Sequence, residues 1–209
     1  QIVRSVWRDN WAGIVPNTLD SELLPPFREV DIVGNDVRGN SNRNAPGVRL
    51  EWGAFGNGIV LGGGNDSRVE RNRVVDHVNH GILVTPNLDE HFWTASGNRV
   101  VGNVVEGSGR ADLALAAPAG GGNCFQGNQA RTSIPVGLQA FSRCSGPRLP
   151  LRMDLSTTLA SLGQVAEANT GGEGYHEQRD GTDRDPGPVA RARLRDGDRR
   201  VRRVRRVPV

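Results

Sequence analysis

Lysine is absent from this sequence, and all 26 basic side chains are arginine. Folding makes no such demand, so this absence leaves the architecture open. Other scarcities say more. Aromatic residues are only 5% of the chain, against 28 glycines, which fits a narrow core with many corners. Helical periodicity is nearly missing before residue 135, which excludes an α-helical bundle there. No apolar run reaches the roughly 18 residues that a membrane helix needs, so no membrane span is expected. No secretory signal is present either. The chain opens at Gln1 in the middle of a repeated phrase, so upstream coils and their targeting signal are expected to precede it.

Basic excess is also missing where it would matter. Residues 172–209 hold 11 Arg against 7 Asp and Glu, while residues 1–171 hold 15 Arg against 16 acids. The high isoelectric point therefore belongs to the tail, and the preceding part gives no electrostatic reason to expect a nucleic-acid partner. The tail has no apolar run before Val-Arg-Arg-Val-Arg-Arg-Val and reads as disordered and solvated.

What is abundant is one phrase. Val30–Val37, Ser67–Val74 and Asn98–Val105 align on Asn35, Asn72 and Asn103, and a shorter copy ends on Asn128. The Asn spacings are 37, 31 and 25 residues. A Gly-Ile strand recurs at Gly13, Gly58 and Gly81, and more loosely at Asp112. Between them, period-two alternation places Val69, Val74, Ile82 and Val84 on one face. Repetition of this kind implies a solenoid in which each repeat buries its apolar face by stacking on its neighbours. Asn at one corner of successive coils stacks at the strand spacing of about 4.8 Å. The fold class expected is thus all-β: a parallel β-helix over 1–145 with an Asn corner ladder, a short cap over 146–171, and the Arg-rich tail over 172–209. Asp154 and Leu155, Leu159 and Leu162 at helical spacing predict a short capping helix over 154–163.

The pattern N-x-V-x-x-N-x-V, followed by G-I-x-V, resembles the right-handed parallel β-helix repeat of the pectate-lyase-like superfamily. Within it the chain looks most like secreted actinobacterial β-helix repeat proteins. It is distantly similar to β-helix proteins that assist nitrous-oxide reductase maturation. The resemblance covers residues 1 to about 145 and speaks for the fold far more than for an activity.

Lyases of that superfamily carry a carboxylate cluster, usually with Ca²⁺, on the outward face of the Gly-Ile column, and its hydrolases carry two or three Asp there. Read by alternation, this chain offers Gly13, Gly58, Gly81 and Asp112 at those positions. One carboxylate makes neither constellation. Asp112, and Asp76 with His80 before Gly81, remain as weak catalytic candidates. No metal site or cofactor is expected. Three insertions, 16–29, 38–57 and 85–97, flank the same column. Long loops on a rigid scaffold are where binding resides. Trp52 and Phe55 in the second, and Asp89, Glu90 and Trp93 in the third, are the candidate ligand contacts, with aromatic faces for sugar C–H groups and carboxylates for hydroxyls.

Cys124 and Cys144 either close a loop after the last coil or stay as free thiols. Their placement favours a disulfide, which contributes roughly 3 kcal/mol for a loop of this length and indicates an oxidising compartment. The reading is a secreted, monomeric binding or surface module that contacts polysaccharide through a loop-flanked groove. One alternative is a carbohydrate-active enzyme, lyase or hydrolase, whose main carboxylates lie in upstream coils. Another, resting on the similarity and four His, is a metal-handling accessory protein.

Overall fold

Short strands of three to six residues dominate a computed structural model that describes residues 1–45 and 54–146. The first sheet stacks β1 (Ile2–Val3), β3 (Asp31–Val33), β6 (Arg68–Glu70), β11 (Arg99–Val101) and β14 (Cys124–Gln126). The second stacks β2 (Val6–Arg8), β4 (Asp36–Arg38), β7 (Arg73–Val75) and β12 (Val104–Glu106). The third stacks β5 (Ile59–Gly62), β8 (His80–Thr85), β13 (Ala111–Leu115) and β15 (Ser133–Ile134). Every pairing in these sheets is parallel. An antiparallel pair, β9 (Asn87–Leu88) with β10 (Phe92–Trp93), lies in the third insertion. The one helix among the described residues is α1 (Leu138–Phe141).

The chain visits the three sheets in the same order on every pass. Parallel neighbours are thus supplied by the next pass rather than by a crossover helix. The architecture is all-β with stacked parallel sheets, compatible with the β-helix solenoid expected.

Register turns the sequence phrase into columns. Ile32, Val69, Val100 and Phe125 are Cα partners in the first sheet, and all are fully buried. Val37, Val74 and Val105 repeat this in the second, and Ile59, Ile82 and Leu113 in the third, with Leu61, Val84 and Leu115 two residues on. These residues form one continuous apolar core. Each is an apolar side chain on a strand of three to six residues, so burial comes from stacking along the column.

Asn side chains close the corners. Asn35 donates its N–H and Nδ2 to Asn72 Oδ1, Asn72 donates the same pair to Asn103, and Asn103 to Asn128, at 2.8–3.0 Å. A second column two residues before the core valine runs from Ser67 to Asn98 to Asn123. A third runs from Asn10 to Asn40 to His77. Each amide satisfies backbone groups that a turn would otherwise leave unpaired inside the protein.

The top of the stack is sealed by the segment after β15. Gln139 on α1 accepts from Asn128 N–H and Nδ2 and donates to Asn128 O. Phe125 N–H donates to Ser142 O at 2.7 Å, and Ser142 Oγ donates to Asn123 O. The Cys124–Cys144 disulfide fastens the same place. Sealing therefore begins at residue 138, ahead of the 146–171 stretch expected to do it. That stretch beyond Gly146, the 154–163 helix and the 172–209 tail lie outside the described residues.

The structure corrects one reading of the Gly-Ile column. Gly13, Gly58 and Gly81 do not face outward. A Cβ on Gly81 would strike Val105 Cγ1 and come within 2.7 Å of Asp112 O, and one on Gly58 would lie 2.5 Å from Gly81 O. These glycines sit at the bend between the second and third sheets, where neighbouring backbones pass too closely for any side chain. Strict alternation fails because the bend turns two successive residues towards the interior. Gly81→Ala is expected to cost at least about 3 kcal/mol, since the obstruction includes backbone rather than a movable side chain. Chemical unfolding of the variant checks this, with Gly121→Ala, which meets nothing within 4 Å, as the comparison.

Candidate functional site

Two insertions that are far apart in sequence meet in space. The first leaves the third sheet after Ile14, and the third leaves it after β8. Register brings their starting points together, because Ile14 bridges to Ile59 and Ile59 pairs with Ile82. Asp20 then ties them. Its Oδ1 meets His91 Nδ1 at 2.6 Å, and its Oδ2 accepts His91 N–H at 2.8 Å. Asp20 N–H donates to Asp89 Oδ2 at 2.7 Å, and Asn87 Nδ2 donates to Thr18 O. The loops are thus cross-braced by four hydrogen bonds.

The electrostatics are simple. Burial works against the ionised form of Asp20, but the N–H groups of His91 outweigh it and hold its carboxyl below the usual carboxylate range. Because the carboxylate accepts at Nδ1, that nitrogen carries the imidazole proton and Nε2 faces outward. His91 is well exposed, and its ring lies 5.9 Å from that of Trp93. Glu90 and Phe92 are exposed beside it, and Trp93 is half-buried, with its Cβ packed where Gly63 leaves room. The result is a preformed loop pair bearing one imidazole edge, two carboxylates and the Trp93 ring, with Phe92 on the alternate face of β10 opposite Leu88.

The other candidates fall elsewhere. Phe55 lies at the opposite end of β5 from Trp93. It packs 5.3 Å from Trp11, with the Arg43 guanidinium 4.7 Å over its ring. The four residues of β5 separate the two aromatics, a span of about 13 Å at the usual rise. Trp52 lies outside the described residues. The face between the loops is not an open polar groove. Val60, Leu83, Ala114 and Ala116 form a second buried apolar cluster there, with Val15 and Ile134 against it.

Asp112 is 2% exposed, and both of its oxygens are occupied. Oδ1 accepts Ser108 N–H at 3.2 Å, and Oδ2 accepts Arg131 and Thr132 N–H at 2.9 and 3.1 Å. That carboxylate ties three backbone amides of the last two coils and is closed off from solvent. Asp76, His77 and His80 lie within five residues of one another but point apart. Asp76 is exposed at a left-handed backbone position, φ 59°. His77 is buried in the Asn10–Asn40 column, accepting from Asn40 N–H at Nδ1 and donating from Nε2 to Val37 O. Burial holds its pKa below the ordinary imidazole value. His80 lies in a separate column, against Asn57. Asp76 therefore activates neither ring through a hydrogen bond.

Among the described residues, no group of three or more His, Cys, Asp and Glu is arranged to hold a metal ion, and no helix is long and apolar enough to cross a membrane. Set against models of protein families, curated proteins and solved structures, the chain matches none. Its reading therefore rests on its own geometry. Sequence reasoning named Asp89, Glu90 and Trp93 but missed Asp20. Asp20 lies 71 residues from His91, and only the stacking of coils reveals the pair. The one available signal was that both insertions follow the same strand of the phrase.

Proposed function

We propose that this protein is a secreted binding module, built on a right-handed parallel β-helix of the pectate-lyase-like type, that contacts polysaccharide. The contact surface is the cross-braced pair of insertions, which carries Asp89, Glu90, His91 and Trp93, with Phe92 exposed on the alternate face of β10. The observation that carries this is Asp20, whose two oxygens and N–H lock one loop to the other. A loop fixed before binding loses little entropy on contact, which favours affinity. Exposed Phe92 offers an apolar face, and Glu90 and the outward His91 Nε2 offer acceptors for sugar hydroxyls. The disulfide supports export, because such bonds persist in oxidising compartments. Asp112 is committed to backbone amides, so the reading requires no chemical step.

The test is a binding panel of neutral, amino and uronate polysaccharides, followed also for reducing ends and for unsaturated products. Phe92→Ala is expected to weaken the glycan bound about tenfold, roughly 1.4 kcal/mol. It should leave thermal stability unchanged, since Phe92 is exposed. If no member of the panel binds, or if the variant binds as well as the parent, the proposal fails. Turnover of any polysaccharide would replace it with the enzyme reading.

A further inference from the structure

We propose that His80 is an acid-sensitive latch: it fastens the end of the second insertion to the third sheet, and protonation of its ring releases that segment. His80 opens β8 at the bend and is 2% exposed. Its N–H and Nδ1 both lie on Asn57 Oδ1, at 3.0 and 2.9 Å. An amide oxygen only accepts, so Nδ1 carries the proton and Nε2 keeps its lone pair. Nε2 is buried and has no hydrogen-bond partner. A proton added there creates a charge that no acceptor shares.

The surroundings oppose that charge. Burial, and the Arg110 guanidinium on the following coil, push His80 from the ordinary 6.5 down to about 4. Two carboxylates stand near, Asp76 in sequence and Asp112 across the β8–β13 pairing. Asp76 at the same turn acts on His77, and Asp112 on β13 is held by the amides of Ser108, Arg131 and Thr132. Burial lowers the pKa of His77 too, and both of its ring nitrogens are partnered.

What the latch holds is residues 54–58. Gly58 N–H donates to His80 O, and Asn79 N–H to Gly56 O, each at 2.9 Å. Asn79 Nδ2 donates to Phe55 O at 2.7 Å, and Asn57 Nδ2 to Ala54 O at 3.1 Å. Opening this corner solvates the imidazole and frees Phe55, which carries the Trp11 and Arg43 contacts. The sign follows from the direction of the shift. The folded value lies below the open-chain value, so the latch is fully closed above pH 6.5 and weakens as pH falls towards 4. Between pH 7 and pH 4, closure becomes less favourable by about 100-fold, and the full effect of about 300-fold is reached only below the folded value.

The experiment is amide hydrogen exchange on the full chain between pH 7 and pH 4, corrected for intrinsic rates. Protection at residues 54–58 is expected to fall by about 100-fold or more. In His80→Asn, whose amide N–H replaces Nδ1–H, protection should stay flat across the same range. An identical acid loss in His80→Asn, or no loss in the parent, overturns the proposal. If the variant fails to hold the segment at pH 7, the parent's His80 ring signal decides by NMR. Proton uptake in step with the loss of protection supports the latch, and uptake near 6.5 with protection intact overturns it.

Discussion

Replacing Asn72 with alanine is expected to lower the free energy of unfolding by about 4 kcal/mol, at the upper end of single-substitution effects. Asn72 is 1% exposed and stands in the middle of its ladder. Its Oδ1 accepts both Asn35 donors, and its Nδ2 donates to Ile32 O and to Asn103 Oδ1, all at 2.9 Å. Alanine therefore strands the two Asn35 donors inside the protein and removes the Nδ2 contacts to Ile32 O and Asn103 Oδ1. Each stranded buried group costs about 1–3 kcal/mol. Aspartate in the same place should do no better, because it keeps the acceptor but loses the donors and buries a charge. Denaturant unfolding measures both. Asn44→Ala, at an exposed position, should stay within about 0.5 kcal/mol of the parent. A cost below about 1 kcal/mol at Asn72 would show that water replaces the ladder, and the corner would then owe its shape to backbone alone.

Cys144→Ser, or reduction, is expected to remove roughly 3 kcal/mol. The loss should also be local. The disulfide fastens the sealing segment, so its absence should first release Ser142 from Phe125 and Gln139 from Asn128. Exchange at Phe125 and Asn128 N–H should therefore quicken by more than exchange at Val69. Thermal unfolding with and without reductant, combined with exchange, checks both parts. Uniform quickening across all coils would mean that the bond acts on the unfolded chain alone, as a loop constraint.

Much of the architecture was legible because it is local and repeated. Val69, Val100 and their partners stand at fixed offsets from Asn72 and Asn103, and stacking of coils turns those offsets into columns. Two features escaped for physical reasons. The first is the bend at Gly58 and Gly81, where period-two alternation breaks because the chain changes sheets. A pattern rule assigns Asp112 to the outer face, whereas the fold turns it onto the amides of Ser108, Arg131 and Thr132. The second is the meeting of Asp20 with His91. Insertions vary in length, so no period connects them, and their contact depends on which coil follows which. Gln139 was hidden likewise, because a glutamine that ends an Asn ladder looks in sequence like any other surface glutamine.

Stacked parallel strands offer every copy of the molecule the same docking edge, and such molecules tend to join into fibres. Head-to-tail growth requires two complementary faces, and here one is spent. The amide of Asn128 and the N–H of Phe125 are already occupied by Gln139 and Ser142 of the same chain. The sealing segment thereby denies a second copy the edge of the first sheet, and a head-to-tail filament needs that edge at every junction.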